Sequence, residues 1–129
     1  METGLKINVL VVDDNQINRL LINKVMIKWG ANADFAENGL QAIDKLEGNR
    51  NYDVVLMDVY MPEMGGVEAT RIIRAKKESY FQDLPIIALT ASILSTEKSE
   101  IEDAGMNDYI VKPFDPKSLF DKLSVYQKV

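Results

Sequence analysis

The sequence contains neither cysteine nor histidine among its 129 residues. Without cysteine there can be no disulfide, thiolate nucleophile or zinc–thiolate site. Without histidine there can be no Ser–His–Asp triad, histidine-ligated metal or phosphohistidine. Any metal bound by this chain must therefore have oxygen ligands, which is typical of hard cations such as Mg²⁺.

The sequence also has no surplus of basic residues. Lys and Arg total 15 against 20 Asp and Glu, which gives a net charge of −5. Because nucleic acids and anionic membranes attract basic proteins, we expect neither nucleic-acid binding nor direct membrane contact. Apolar runs fall well short of the roughly 18 residues of a membrane span, and the N-terminus lacks the pattern of a signal peptide. We therefore expect a cytoplasmic protein.

Hydrophobic residues make up 47% of the sequence, enough for a packed core. The length is typical of one domain, so we expect a single domain over 1–129 with a core of about 7–126. Short apolar segments alternate along it with stretches of helical periodicity. The predicted strands are 7–12, 32–36, 52–57, 85–89 and 108–111, and the predicted helices are 16–29, 38–46, 67–77, 96–104 and 115–126. Five such units predict an α/β fold: a single open five-stranded parallel sheet in the flavodoxin-like order 2-1-3-4-5, flanked by five helices.

Polar side chains follow four of the predicted strands. They are Asp13 and Asp14, Asp58, Thr90 and Lys112. Because functional sites of open α/β sheets form at the carboxyl ends of the strands, we expect these groups to converge. Any one of the aspartates could equally be a helix cap, but five such groups at one edge predict a site. Clustered carboxylates repel one another, and Mg²⁺ is the natural neutralising cation here.

This set of groups predicts phosphoryl chemistry. A carboxylate beside Mg²⁺ and a lysine can attack a phosphoryl group and form an acyl phosphate. The two cations offset the charge on the phosphoryl oxygens, and the Thr90 hydroxyl could donate a hydrogen bond to one of them. Both a signalling module and a phosphate-ester hydrolase could use such a pocket.

Several segments resemble the receiver domain of two-component response regulators. They are 9–15 (Val-Leu-Val-Val-Asp-Asp-Asn), 56–62 (Leu-Met-Asp-Val-Tyr-Met-Pro), 86–91 (Ile-Ile-Ala-Leu-Thr-Ala) and the pair Lys112-Pro113. Segments 15–19, 68–71 and 104–109 are most similar to receivers fused to hybrid histidine kinases. The resemblance implies a phosphorelay module that takes a phosphoryl group from the phosphohistidine of a histidine kinase or histidine-phosphotransfer domain. Such a module catalyses its own phosphorylation and slow dephosphorylation and switches conformation, so it is not an enzyme in the usual sense.

The resemblance also implies residue roles. Asp58 is the phosphoacceptor, and Thr90 and Lys112 contact the phosphoryl group. The implied Mg²⁺ ligands are Asp58, Asp14 directly, Asp13 through water and the backbone carbonyl of Tyr60.

Further roles concern switching and phosphate lifetime. Tyr109 is implied as the switch aromatic that responds to Thr90, and the Lys112–Pro113 peptide bond as cis. In the family, the positions of Tyr60 and Ser92 are associated with the dephosphorylation rate. The chain departs from the family's usual Asp-Gly at Gly65-Gly66, where glycine is a weaker but acceptable helix cap.

The first helix has more apolar residues than one buried stripe needs. Leu21, Val25 and Trp29, with Ile22 and Met26 beside them, are predicted to face the sheet. Leu20 and Ile27 lie on another side of this helix, with Ile17 near their edge. We interpret them as a docking patch for the helical bundle of the phosphohistidine donor. Scattered surface residues are the simpler alternative.

Two other functions stay open on the sequence. A hydrolase of the haloacid dehalogenase type would have a second Asp two residues after the nucleophile, where this chain has Tyr60. A degenerate receiver that only binds partners would not need the intact set of site residues. We favour a monomer, and both a stand-alone regulator and a piece of a hybrid kinase remain possible.

Overall fold

A computed structural model describes residues 4–91 and 94–127. Ser92 lies outside the described residues. The strands are Asn8–Val12 (β1), Asn32–Ala36 (β2), Val54–Asp58 (β3), Ile86–Thr90 (β4) and Asp108–Val111 (β5). The helices are Gln16–Trp29 (α1), Gly39–Gly48 (α2), Gly66–Ala75 (α3), Ser79–Asp83 (α4), Ser95–Ala104 (α5) and Pro116–Ser124 (α6).

The strands form one parallel sheet in the order β2-β1-β3-β4-β5, as predicted. All residues of β3 and β4 are buried, which is typical of parallel strands covered by helices on both faces. Two apolar clusters line the two faces of the sheet. One contains Phe81 and Ile101, and the other contains Met26, Trp29 and Leu119.

Helix α1 begins immediately after the first cluster of acidic residues. Its N-cap Asn15 accepts a hydrogen bond from the Asn18 N–H, and it ends at Gly30, whose φ of 73° is left-handed. These two caps fix where α1 starts and stops, so the loop between β1 and α1 is only three residues long.

The buried side of α1 differs from the prediction. Ile22, Met26 and Trp29 are the buried residues, whereas Leu21 is 48% exposed and Val25 is half-buried. The prediction that Leu21 faces the sheet is therefore wrong. Ile22 and Met26 are four residues apart and lie above one another on the helix, and Leu21 lies about 100° around the axis from Ile22.

The described part of the chain forms one helix more than the five predicted. The additional helix, α4, is a single five-residue turn that lies beyond the predicted third helix, 67–77. Phe81 of α4 is buried, and the Tyr80 hydroxyl donates to the backbone carbonyl of Tyr52 at 2.8 Å. Contacts with the rest of the fold therefore hold a segment that has no helical periodicity of its own.

Within residues 4–91 and 94–127, no helix is long and apolar enough to cross a membrane.

Candidate functional site

The candidate site lies at the carboxyl edge of the sheet. Asp58 and Thr90 are the last residues of β3 and β4. Both strands therefore extend one residue further than predicted, and the two residues lie within the strands instead of after them. Asp13 follows β1 directly, and Lys112 follows β5. Val12 is paired with Met57, and Thr90 with Val111, so neighbouring strands end at nearly the same level. The parallel register therefore places the ends of four strands side by side.

Lys112 links two of the carboxylates. Its Nζ lies 3.0 Å from Asp58 Oδ2 and 3.1 Å from Asp13 Oδ2. Asp13 is fully buried and Asp58 is 7% exposed, so the carboxylate side of both ion pairs is shielded from water, whereas the Lys112 side chain is 23% exposed. One ammonium group thus compensates part of the charge of two buried carboxylates.

The electrostatics of the site favour a cation beside Asp58. Burial raises the pKa of Asp58 to about 6, and the charges of Asp13 and Asp14 add to the rise, against the opposing effect of Lys112. Burial alone would lower the pKa of Lys112, but its contacts with Asp58 and Asp13 outweigh burial and raise it. One lysine therefore does not fully neutralise this carboxylate cluster.

Three carboxylates satisfy the simplest geometric requirement for a metal site. Asp13, Asp14 and Asp58 each offer an oxygen, and these atoms lie within 4.8 Å of one another. Asp14 is exposed and the other two are buried, so the cluster opens to solvent on one side. An all-oxygen donor set open to water suits Mg²⁺, which keeps several water ligands.

Several neighbours of Asp13 were missed from the sequence. Its Oδ1 accepts the Asn15 N–H at 2.9 Å, and its Oδ2 accepts from the Asn18 side chain at 3.4 Å. The Arg19 guanidinium donates to the Asp13 backbone carbonyl at 2.7 Å. These contacts hold the Asp13 carboxylate in one orientation. The only sequence signal was their position in the first turn of α1.

The loop after β3 depends on close backbone packing. A Cβ at Gly66 would lie 2.2 Å from the Asp58 carbonyl oxygen, and a Cβ at Gly65 would lie 2.8 Å from the Val59 carbonyl oxygen. The Gly66 N–H donates to that Val59 carbonyl at 2.9 Å. Gly65 is the N-cap of α3 and makes no side-chain capping bond. The paired glycines therefore let the loop fold directly beneath Asp58.

The remaining predicted residues surround this loop and β5. Tyr60 lies in the loop two residues after Asp58, with its side chain 65% exposed. Thr90 is buried, and its backbone carbonyl accepts the Lys112 N–H at 2.7 Å. The Lys112–Pro113 peptide bond is cis. Tyr109 is half-buried in β5, with its ring centroid 5.9 Å from Lys122 Nζ.

The predicted docking residues lie outside the pocket. Ile17, Leu20 and Ile27 are 67%, 57% and 69% exposed on the outer side of α1. Their exposure leaves an apolar surface beside the acidic site.

The fold and the acidic site together are typical of phosphoacceptor signalling domains. Residues 9–124 match the family described as response regulator receiver domain. The chain belongs to the response regulator receiver domain family, which confirms the resemblance noted in its sequence.

Similar proteins include hybrid kinases and solved receiver domains. The chain is 37% identical over 120 residues to hybrid signal transduction histidine kinase I of Dictyostelium discoideum, covering 90% of this chain and 7% of that protein. The receiver domain of a sensor histidine kinase from Pseudomonas aeruginosa PAO1, solved with a magnesium ion in its active site cleft, is 36% identical with a TM-score of 0.84. That likeness covers 95% of this chain and 97% of the other.

A third similar structure is a complex. The receiver domain of the Saccharomyces cerevisiae response regulator Ssk1, solved with the histidine phosphotransfer protein Ypd1, is 28% identical with a TM-score of 0.85. The match covers 96% of this chain and 90% of that one. By contrast, the chain spans only a small part of curated histidine kinases that it matches, such as 14% of probable histidine kinase 4 of Oryza sativa subsp. japonica and 3% of hybrid signal transduction histidine kinase G of Dictyostelium discoideum.

Proposed function

We propose that Asp58 accepts a phosphoryl group from the phosphohistidine of a histidine kinase or histidine-phosphotransfer protein. The observation that carries this proposal is the position of Asp58: its Oδ2 lies 3.0 Å from Lys112 Nζ, within a cluster of three carboxylates. The complex of the similar Ssk1 receiver with Ypd1 supports this kind of donor.

The transfer forms one bond and breaks another. An Asp58 carboxylate oxygen attacks phosphorus, and the phosphorus–nitrogen bond to the donor imidazole breaks, leaving its electron pair on the imidazole. Lys112 compensates the negative charge on the phosphoryl oxygens, and the Thr90 hydroxyl donates to one of them. In the return step, water attacks the aspartyl phosphate, which releases phosphate and restores the carboxylate. The chain thus acts on itself and not on a separate substrate.

The three carboxylates differ in how free they are to bind Mg²⁺. Asp14, which is exposed, and Asp58 would hold Mg²⁺ directly. The resemblance to receiver domains adds the Tyr60 backbone carbonyl as a further ligand. Asp13 acts through water, because its oxygens already accept hydrogen bonds from Asn15 and Asn18 and pair with Lys112. When bound, Mg²⁺ supplies positive charge that stabilises the transferring phosphoryl group.

The phosphorylated domain then changes shape. The phosphoryl group attracts the Thr90 hydroxyl, and the vacated space lets the Tyr109 ring turn inward. Tyr60, at the mouth of the site, together with Ser92, sets the rate of hydrolysis. The chain acts as one cytoplasmic domain over 1–129, as a monomer, and docks its donor through Ile17, Leu20 and Ile27.

Acetyl phosphate tests the phosphoacceptor without a protein donor. With Mg²⁺, we expect a base-labile acyl phosphate on the wild-type chain and none on Asp58→Asn, measured by intact mass before and after alkali. Asp44→Asn, on the exposed side of α2, is the matched control and should be labelled like the wild type. Equal labelling of Asp58→Asn and the control would show that Asp58 is not the acceptor.

A further inference from the structure

The outer face of α1 has the spacing of a helix-docking surface. Ile17, Leu20, Lys24 and Ile27 follow one another at intervals of three, four and three residues, so they lie in one row; we call this row the α1 stripe. All four are exposed. Ten residues of helix separate its ends, so the row is about 15 Å long. Such a row suits contact with a helix of similar length.

A groove runs beside the α1 stripe and reaches two residues of the candidate site. It has a volume of about 290 Å³, and its apolar walls include Leu21, Val25 and Phe114. Asp13 and Lys112 also line it, so the groove is continuous with the acidic pocket. Its volume is at the lower limit of small-molecule sites, which is roughly 300 Å³. An apolar side chain projecting from a docked helix is therefore a better match for it than a separate ligand.

The charge of α1 is opposite to that of the rest of the chain. Arg19, Lys24 and Lys28 are its charged residues, and it contains no Asp or Glu, although the net charge of the chain is −5. Lys24 and Lys28 are exposed, and neither has an ion pair within residues 4–91 and 94–127. Helix α5 has the opposite character. Its charged residues are Glu97, Lys98, Glu100, Glu102 and Asp103.

We propose that α1 selects a helical partner whose apolar contact face is bordered by aspartates or glutamates, with Lys24 and Lys28 as the specificity-determining residues. Opposite charges would guide the partner to α1, and the acidic surface of α5 would repel it. The inference rests on the proposed function in taking the partner to be the phosphohistidine donor, but the charge preference can be measured without any phosphoryl transfer.

A second copy of this chain fits the α1 stripe less well. In a two-fold symmetric dimer the same patch contacts itself, so two α1 helices meeting in this way would bring their lysines together. Like charges at the contact oppose such a dimer, whereas an acidic partner removes the repulsion.

Two designed four-helix bundles test the charge preference. Both carry the same row of leucines on one face, flanked by glutamates in one bundle and by lysines in the other. Binding to the full ¹⁵N-labelled chain is followed by NMR titration in EDTA. We expect the glutamate bundle to bind roughly tenfold more tightly, with shifts concentrated on α1 and a preference that weakens at high salt.

Charge reversal on the chain provides the complementary test. The double variant K24E/K28E should prefer the lysine bundle, while Lys45→Glu on α2 should behave like the wild type. Equal affinity for both bundles, an unchanged preference in the double variant, shifts confined to surfaces other than α1 and the groove, or a wild-type dimer held through α1 would each overturn the proposal. Acetyl phosphate labelling of the same variants reports separately on Asp58, so a failure of the phosphoacceptor assignment is distinguishable from a failure of the charge preference.

Discussion

At the scale of single residues, the site is defined by carboxylates held in an environment that disfavours their charge. Burial raises the pKa of Asp58 to about 6 from an ordinary value of 3.8, although Lys112 lies only 3.0 Å away. The protein thus keeps a poorly neutralised carboxylate at the end of its central strand. That arrangement costs stability but leaves a carboxylate whose charge a bound cation can offset.

The loss of folding stability caused by the charged Asp58 side chain is measurable in the metal-free protein. Folded Asp58 retains its proton up to about pH 6, whereas in the unfolded chain it ionises near pH 4. The native state therefore binds more protons between these values, and the stability it gains from them is lost as pH rises from about 4 to 6. In EDTA at pH 7, we expect Asp58→Asn to have a free energy of unfolding about 1–3 kcal/mol above that of the wild type.

Urea denaturation in EDTA from pH 3.5 to 7.5 checks this prediction. The difference between Asp58→Asn and wild type should disappear below about pH 4, where Asp58 is protonated in both states. Asp44→Asn, with an exposed side chain, should follow the wild type across the range. A less stable Asp58→Asn at pH 7 would mean that the ion pair with Lys112 outweighs burial.

Some residues of the site could be predicted from sequence and others could not. Asp13, Asp58 and Lys112 were predictable because each interrupts or follows an apolar run, and parallel strands end at one edge. Arg19 and Asn18 were not, because their contacts with Asp13 depend on how the first turn of α1 folds back over the loop. The role of Asp58 as phosphoacceptor and those of Asp13 and Lys112 beside it stay predictions.

At the scale of elements, the turn from β3 into α3 is the part of the site with the least free space. A side chain at Gly66 would collide with the Asp58 carbonyl oxygen, which is backbone and cannot rotate away. We expect Gly66→Ala to lower the free energy of unfolding by about 1–3 kcal/mol and to slow labelling of Asp58 by acetyl phosphate, since the displaced backbone carries the acceptor.

Gly48→Ala is the matched control for Gly66→Ala. A Cβ at Gly48, the last residue of α2, would meet no atom within 4 Å, so alanine there should be neutral or stabilising by up to about 1 kcal/mol. Urea denaturation and labelling rates compare the two variants. Equal behaviour would show that the β3–α3 turn tolerates a side chain and that Gly66 is not needed for the site.

The elements also show why sequence periodicity found most of the fold but not α4 or the exposure of Leu21. Long segments with a clear apolar period, such as α1, can be predicted from their local sequence alone. The five residues of α4 have no such period and depend on burial of Phe81 against distant parts of the chain. Periodicity likewise gives a broad apolar side of α1 without fixing which row of it meets the sheet, and here the row of Ile22 and Met26 does.

At the scale of the whole molecule, hydrogen bonds tie the elements around the candidate site to one another. The Lys112 N–H donates to the Thr90 carbonyl at 2.7 Å, which ties the end of β5 to the end of β4. Arg74 of α3 donates to the carbonyls of Gly105 and Phe81 and to the Asn107 side chain, and thereby links α3, α4 and the loop before β5. Strand β5 is paired with β4, and its Asp108 forms an ion pair with Lys122 of α6 at 2.9 Å, so a shift at Thr90 can reach β5 and α6.

Beryllofluoride, a phosphoryl mimic that binds aspartate in the presence of Mg²⁺, tests whether this connection is a switch. The mimic would attract the Thr90 hydroxyl, and the half-buried Tyr109 ring would turn into the space released, away from Lys122. Because this local contact biases two packings of one sheet edge, amide NMR shifts should extend from Asp58 to α5, β5 and α6. Tyr109→Ala should keep the shifts around Asp58 but lose most of those on the distant surface. Shifts confined to the pocket in the wild type would show that phosphorylation of this domain does not reach that surface.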